Sequence, residues 1–311
     1  MIDDSDKAMT FMDVPATDDA AGAGAAILGI PFECLGMRVR SGSDQGPTAI
    51  REQSQLLRPH QPPHADFSPL ERLGVVDMGD VAVSVDDVTT SYPAISDAVG
   101  RVLSAGAVPA TMGGDGSVTL PQLRAVAARH GPVALIHIDA HTDTGPGKAP
   151  GELSPSTTFT RAAEEGLLDM EHAVHIGARG TQRLAGAFEF ARGLGFEIIT
   201  GDDMFAQGIA ATGAALGQRM SGRPTYLCID MDFFDPSCAP GVCQPECGGP
   251  SAREGLALVQ SLAGPRLVAV DVNTVSPPQD VGGLTALLAA RVILECLALI
   301  ASAPSEHQSD S

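Results

Sequence analysis

Short apolar runs alternate with longer helical patterns from about residue 23 to residue 302. The runs predict strands at 25–30, 73–76, 108–112, 133–138, 173–176, 197–200, 225–229 and 267–270. The longer patterns predict helices near 48–57, 94–105, 120–129, 158–165, 183–192, 209–220, 252–262 and 285–301. Strand and helix in alternation imply an α/β fold, with a mostly parallel sheet of about eight strands covered on both faces. There is no internal repeat and no linker, so the pattern reads as one domain over 23–302, flanked by polar, loose tails at 1–22 and 303–311. In such sheets ligands gather beyond the carboxyl ends of the strands.

Composition narrows the function. The 311 residues are 44% hydrophobic, enough for a sizeable core. Nineteen Lys and Arg face 38 Asp and Glu, a net charge of −19. That surface repels phosphate backbones and favours cationic small molecules or metal ions, so no nucleic-acid partner is expected. Trp is absent and 4% of residues are aromatic, which argues against stacking platforms for bases. The first residues are acidic and carry no apolar run, unlike a signal peptide. The most apolar stretch, 283–302, carries Arg291 and Glu295 four residues apart, which suits a buried helix better than a membrane span. A cytoplasmic location with six reduced cysteines is the expectation.

Two predicted strands end in acid clusters. One reads HIDAHTDT, with Asp139, His141 and Asp143 at alternating positions; the other reads CIDMDFFDP, with Asp230 and Asp232 alternating likewise. On extended backbone such side chains share a side, so neighbouring parallel strands would bring four carboxylates and an imidazole together. Two unit charges 4 Å apart repel by about 4 kcal/mol at an effective dielectric near 20, so the group must bind cations or hold protons. Mixed Asp and His donors suit Mn²⁺, Ni²⁺, Fe²⁺ or Zn²⁺ better than Ca²⁺. Caps and turns are the plainer reading of Asp at a strand end.

At these residues the chain resembles the ureohydrolases, the family of arginases and agmatinases, and is closer to the agmatinase branch. LGIPFE (28–33), GPTAIR (46–51), MGGDGS (112–117), HIDAHTD (137–143), IGARG (176–180) and IDMDFFDPSCAPGV (229–242) stand in family order. The resemblance implies a three-layer α/β/α fold, assembly as trimers or hexamers, and a two-metal site of Mn²⁺ or sometimes Ni²⁺ that hydrolyses a guanidinium carbon to urea and an amine. It also implies that Asp139 and Asp230 bridge the metals, that His141 and Asp232 complete one, and that Asp143 serves the other.

Three positions depart from the family pattern. Gly116 stands where GGDHS supplies a metal-ligand His, Pro155 where a Ser-His-Gly-Thr segment supplies a proton-transfer His, and Thr274 where Glu-Val-Asn-Pro supplies the Glu that holds the guanidinium. A charge-assisted hydrogen bond of that last kind is worth roughly 1.5–3 kcal/mol, and a proton-transfer group roughly 10²–10⁴-fold in rate. At most one well-formed metal site is therefore expected, and no catalytic residue at the replaced positions.

This points to a non-catalytic or weakly active subunit that supports an active ureohydrolase paralogue in a trimer or hexamer, acting on a small cationic guanidine or biguanide. Metformin hydrolases within the family would suit that description. The alternative is an active, metal-dependent amidinohydrolase with a one-metal or altered site.

The remaining features have bland readings. Cys238, Cys243 and Cys247 read as a pocket wall or free thiols, and their spacing is not a familiar zinc pair. His137, His172 and His175 read as core histidines, with His137 the one to watch for a substitute role. Asp115 reads as a cap or a support of the site. Glu33, Arg38, Arg40 and Asp44 border the entrance in the family resemblance.

Overall fold

The computed structural model describes residues 9–34, 40–61 and 65–303. In chain order the strands are β1 (Ala25–Ile30), β2 (Val76–Asp80), β3 (Val108–Gly113), β4 (Val133–Ile138), β5 (Leu168–Ala178), β6 (Glu197–Thr200), β7 (Pro224–Asp230) and β8 (Arg266–Asn273). The helices are α1 (Gly46–Ser54), α2 (Pro69–Leu73), α3 (Val88–Ser104), α4 (Thr119–His130), α5 (Thr158–Glu164), α6 (Ala187–Gly193), α7 (Gly201–Gln207), α8 (Ile209–Arg219), α9 (Ala252–Ser261) and α10 (Leu284–Ser302). The strands form one eight-stranded sheet in the order β2-β1-β3-β8-β7-β4-β5-β6, and every pairing is parallel.

Alternation along each strand divides the core into two layers. Ile27, Ile136, Ile138, Leu227 and Ile229 face Ile50, Leu216, Leu258 and Ile293, from α1, α8, α9 and α10. Leu28, Ile30, Leu135, Tyr226 and Cys228 face Ile95, Val99, Leu123 and Phe159, from α3, α4 and α5. This is the three-layer α/β/α arrangement. It explains why the central strands are buried along nearly their whole length. Helix α10 is long and apolar enough to cross a membrane by length and composition, yet 67% of that window is buried. It packs on α1, α2, α9 and β8, and Arg291 Nε donates to Glu295 Oε1 at 2.8 Å, as the four-residue spacing predicts.

The structure corrects several expectations. β2 lies beyond the apolar run at 73–76, because that run closes α2 through Gly74, a left-handed cap at φ 57°. The true strand, VDMGD, is polar because it is a sheet edge. There Asp77 is buried and takes both Arg51 Nε (2.8 Å) and Nη2 (2.9 Å). α7 went unforeseen; Thr200 and Asp203 cap it reciprocally. α6 starts four residues after its predicted start, behind Gly186 at φ 73°.

Residues 9–22, read as a loose tail, pack onto the domain instead. Phe11 is fully buried, its amide donates to Asp77 Oδ2 at 2.9 Å, and Thr17 N donates to Asp77 O at 3.0 Å. A short polar sequence hides this docking, because one aromatic and one shared carboxylate carry it. Residues 1–8, Arg38 and residues 304–311 lie outside the described residues.

Truncating Phe11 therefore leaves a core void. Phe11→Ala is expected to lower unfolding free energy by about 3–5 kcal/mol in a urea titration; a loss below about 1 kcal/mol would show that the segment contributes no packing.

Candidate metal centre

β4 and β7 are adjacent, with Ile138 beside Ile229, so Asp139 and Asp230 leave the sheet side by side. Each then folds the chain back in the same way. Asp139 Oδ1 accepts from His141 N at 2.6 Å, and Asp230 Oδ1 accepts from Asp232 N at 2.8 Å. Asp232 lies in a single 3-10 turn (Met231–Phe233), and Asp143 has a left-handed backbone at φ 49°. The side chains converge as expected, but through Asx turns rather than extended alternation. The capping reading and the ligand reading of these Asp residues thus describe the same atoms.

His141 Nδ1 lies 3.3 Å from Asp139 Oδ1 and 3.1 Å from Asp232 Oδ2, and Ala140 N donates to Asp232 Oδ1 at 3.3 Å. On the other side, His137 Nε2 lies 3.0 Å from Asp139 Oδ2. Two donor groups share Asp139: Asp139, His141 and Asp232 in one, His137, Asp139 and Asp143 in the other, each with ligand atoms within 4.8 Å of one another. Asp230 belongs to neither; its carboxylate accepts the Thr274 hydroxyl instead. Residue 274 reaches it from a left-handed backbone at φ 67°, and the Thr274 hydroxyl oxygen also accepts from Met231 N at 3.2 Å.

Asp139, Asp230 and Asp232 are all buried. Burial, then the neighbouring Asp139, pushes Asp232 up to about 6. Burial also raises Asp230 and Asp143 well above the usual carboxylate range, with Asp232 and Asp139 as the next causes for the former and Asp139 for the latter. Burial acts against a charged His141, but Asp232 and Asp139 outweigh it and hold that imidazole well above its ordinary pKa. Without a metal, burial and mutual repulsion favour the protonated forms of Asp143, Asp230 and Asp232.

The donor set fits a divalent ion. Asp139 Oδ2 is buried and receives no hydrogen bond, and oxygen with imidazole nitrogen is the donor chemistry of Mn²⁺ and Ni²⁺.

The three departures each have a structural partner. A Cβ on Gly116 would meet Asp143 Oδ2 at 3.0 Å and Pro155 Cβ at 3.8 Å, so those two groups border the space a side chain at 116 would enter. Pro155 opens a 3-10 turn that Ser154 and Thr157 close. The cavity between Glu33, His141, Asp143, Asp230, Asp232 and Thr274 measures about 40 Å³. It adjoins a cleft of about 1080 Å³, and Cys34, His141, Asp143 and Gln244 line both.

Glu33 and Arg40 also line the small cavity. Glu33 is buried, accepts from Gly42 N at 2.9 Å and is raised in pKa by that burial. Asp115 acts as a cap: it accepts from Ser117 N at 2.9 Å and from Cys34 N at 2.6 Å. Cys34 and Gln244 went unnamed in the sequence reading, because nothing in their local spacing sets them apart. All six cysteines are free, and burial pushes the Cys243 thiol up to about 12. Among the described residues no cysteine joins a metal-donor group. His172 is a satisfied histidine, with Nδ1 2.9 Å from Asp169 Oδ2.

Comparison with known proteins agrees with this geometry. A family model described as the arginase family matches residues 23–299. The human mitochondrial guanidino acid hydrolase is 37% identical over 289 residues, covering 93% of this chain and 81% of that protein. The guanidinopropionase of Pseudomonas aeruginosa is 38% identical, covering 94% and 91%. The solved proclavaminate amidino hydrolase of Streptomyces clavuligerus superposes with a TM-score of 0.89 at 33% identity, covering 95% of this chain and 97% of that one.

The raised carboxyls fix a pH dependence. Asp232 rises from 3.8 to about 6 on folding, so the metal-free folded state keeps a proton that the unfolded chain releases. Its stabilising contribution is complete at low pH and declines as pH climbs from about 4 to about 6. His141, raised above 6.5, has the same sign and is lost at higher pH. A divalent ion replaces those protons. Mn²⁺ is therefore expected to raise Tm more at about pH 8 than at about pH 5; equal increments at both, or none, would contradict the assignment.

Proposed function

The chain belongs to the arginase family, and from that premise we propose that it is a non-catalytic or weakly active subunit of a guanidino-compound hydrolase. An active paralogue in the same trimer or hexamer would carry the turnover. The proposed substrate of the assembly is a small guanidine or biguanide cation, a class to which metformin belongs.

One observation carries the reading: the cavity at the acid cluster, about 40 Å³, is bordered by metal-donor side chains, and Gly116, Pro155 and Thr274, which also border it, bring it neither an imidazole nor a carboxylate. That volume takes an ion with a few waters. Thr274 has no carboxylate to clasp a planar cation, and its hydroxyl donates to Asp230. Pro155 has no titratable atom for a proton, and Gly116 has no side chain at all. Asp139, His141 and Asp232 remain arranged to hold a divalent ion, Mn²⁺ or Ni²⁺. When bound, such an ion supplies Lewis-acid chemistry and neutralises the buried acids. This chain's own residues would then keep the strand ends together and preserve the surface that meets its partners.

A second reading has one observation in its favour. The adjoining cleft of about 1080 Å³ reaches His141 and Asp143, which suits an amidinohydrolase with an altered site and a substituted substrate.

Turnover of the chain purified alone separates the two. With proton transfer and cation grip both missing, its rate on guanidino compounds is expected to lie about 10³-fold or more below that of an active relative. Co-expression with a paralogue should give a mixed oligomer whose activity survives Asp230→Ala in this chain and vanishes when the partner's own metal-ligand His is changed. Turnover by the homomer at an active relative's rate would overturn the proposal in favour of the second reading.

A further inference from the structure

We infer that His137 is a metal ligand, forming with Asp139 and Asp143 a second cation seat on the opposite side of Asp139 from His141. The inference rests on the reading above that the acid cluster holds divalent metal. It adds a ligand outside the set that the family pattern supplies.

The geometry is that of two ligands on a common ion. His137 Nε2 and Asp139 Oδ2 lie 3.0 Å apart, yet Oδ2 receives no hydrogen bond. Bonds of about 2.1 Å at right angles put neighbouring donor atoms about 3 Å apart. Asp143 supplies a third donor atom within 4.8 Å of the other two. Both His137 and Asp139 are 1% exposed, so a carboxylate oxygen without a donor there is costly unless a cation meets it. The two oxygens of Asp139 divide the work. Oδ1 faces His141 at 3.3 Å, and Oδ2 faces His137.

The imidazole is also held as a ligand should be. Nε2 is the nitrogen turned toward Asp139 Oδ2, and a neutral ring has a lone pair to give there. Its other nitrogen is engaged: Nδ1 lies 2.8 Å from Nδ1 of His175, its in-register neighbour on β5. Phe159 packs on His137 at 4.3 Å between ring centroids, and Phe196 packs on His175 at 4.5 Å. With Nε2 on the ion, Nδ1 of His137 carries the hydrogen and donates to His175. A metal-bound histidine oriented through its second nitrogen is a common arrangement. His175 Nε2 is left without a hydrogen-bond partner. The ion's contact with Asp139 Oδ2 and with His137 offsets that loss.

The test uses the full chain, stripped of metal by a chelator and titrated with Co²⁺ or Mn²⁺. Bound ions per chain are measured by elemental analysis and the cobalt spectrum is recorded. The wild-type chain is expected to take up two ions. His137→Gln should lose one and keep the other, and His141→Gln should lose the opposite one. His137→Cys loaded with Co²⁺ should show a thiolate-to-cobalt charge-transfer band absent from the wild type, a signature that a merely supporting residue would not produce. Circular dichroism of each metal-free variant verifies folding. Unchanged uptake by a folded His137→Gln, or no such band from a folded His137→Cys, overturns the inference. A wild-type chain that binds a single ion lost only in His141→Gln overturns it too, while sparing the metal reading beneath it. A wild-type chain that binds none overturns both.

Discussion

Buried negative charge at the carboxyl ends of β4 and β7 is the constraint on which the centre depends. Asp139, Asp230 and Asp232 stand within a few ångströms of one another with almost no access to water. Left ionised and alone, each pair would cost several kcal/mol. The molecule meets that cost with local devices. Backbone amides of His141, Ala140 and Asp232 donate to the carboxylates, the Thr274 hydroxyl donates to Asp230, and the His141 imidazole sits between Asp139 and Asp232. Each device also sets the position of a potential ligand. The same hydrogen bonds that make the cluster tolerable without metal keep its donor atoms near the places an ion would need them.

The three departures from the family pattern sit where they do not disturb this balance. Gly116 opens a 3-10 turn capped by Asp115. Pro155 opens a turn that Ser154 and Thr157 close on themselves. Thr274 exchanges a carboxylate for a hydroxyl that Asp230 accepts. None of the three removes a core contact from the two apolar layers, which would cost about 2–5 kcal/mol per large side chain. The three positions and the scaffold are therefore separable here: the apolar layers that carry the sheet and its acid cluster do not depend on them.

The fold was legible where burial on both faces made a strand largely apolar, as at β1 and β4, whose predicted and observed bounds coincide. It was illegible where a polar sequence does structural work. β2 reads as loop because its Asp77 serves Arg51 and Phe11 N, and residues 9–22 read as tail for the same reason. The centre was legible through its spacing, since Asp-x-His-x-Asp and Asp-x-Asp crowd charge in any local conformation. Two facts were beyond reach. The orientation of Asp230 is set by a residue 44 positions later, on the far side of β8. The pairing of His137 with His175 needs the register of β4 on β5, which no local pattern encodes.

The electrostatics also explain why such a cluster persists as a unit. Replacing one carboxylate by a neutral group removes repulsion, but it also strands the donors that served it. Asp139 is the clearest case. Its Oδ1 anchors His141 through both the amide and the ring, and its Oδ2 lies beside His137, so its loss would leave a buried imidazole and a bent loop without their common partner. An unpaired buried polar group costs about 1–3 kcal/mol, so the first step away from the full set is uphill. Pro155, whose turn is closed by Ser154 and Thr157, serves no carboxylate and carries no such penalty. A chain of this architecture can therefore vary at such a position while its acid cluster stays in place.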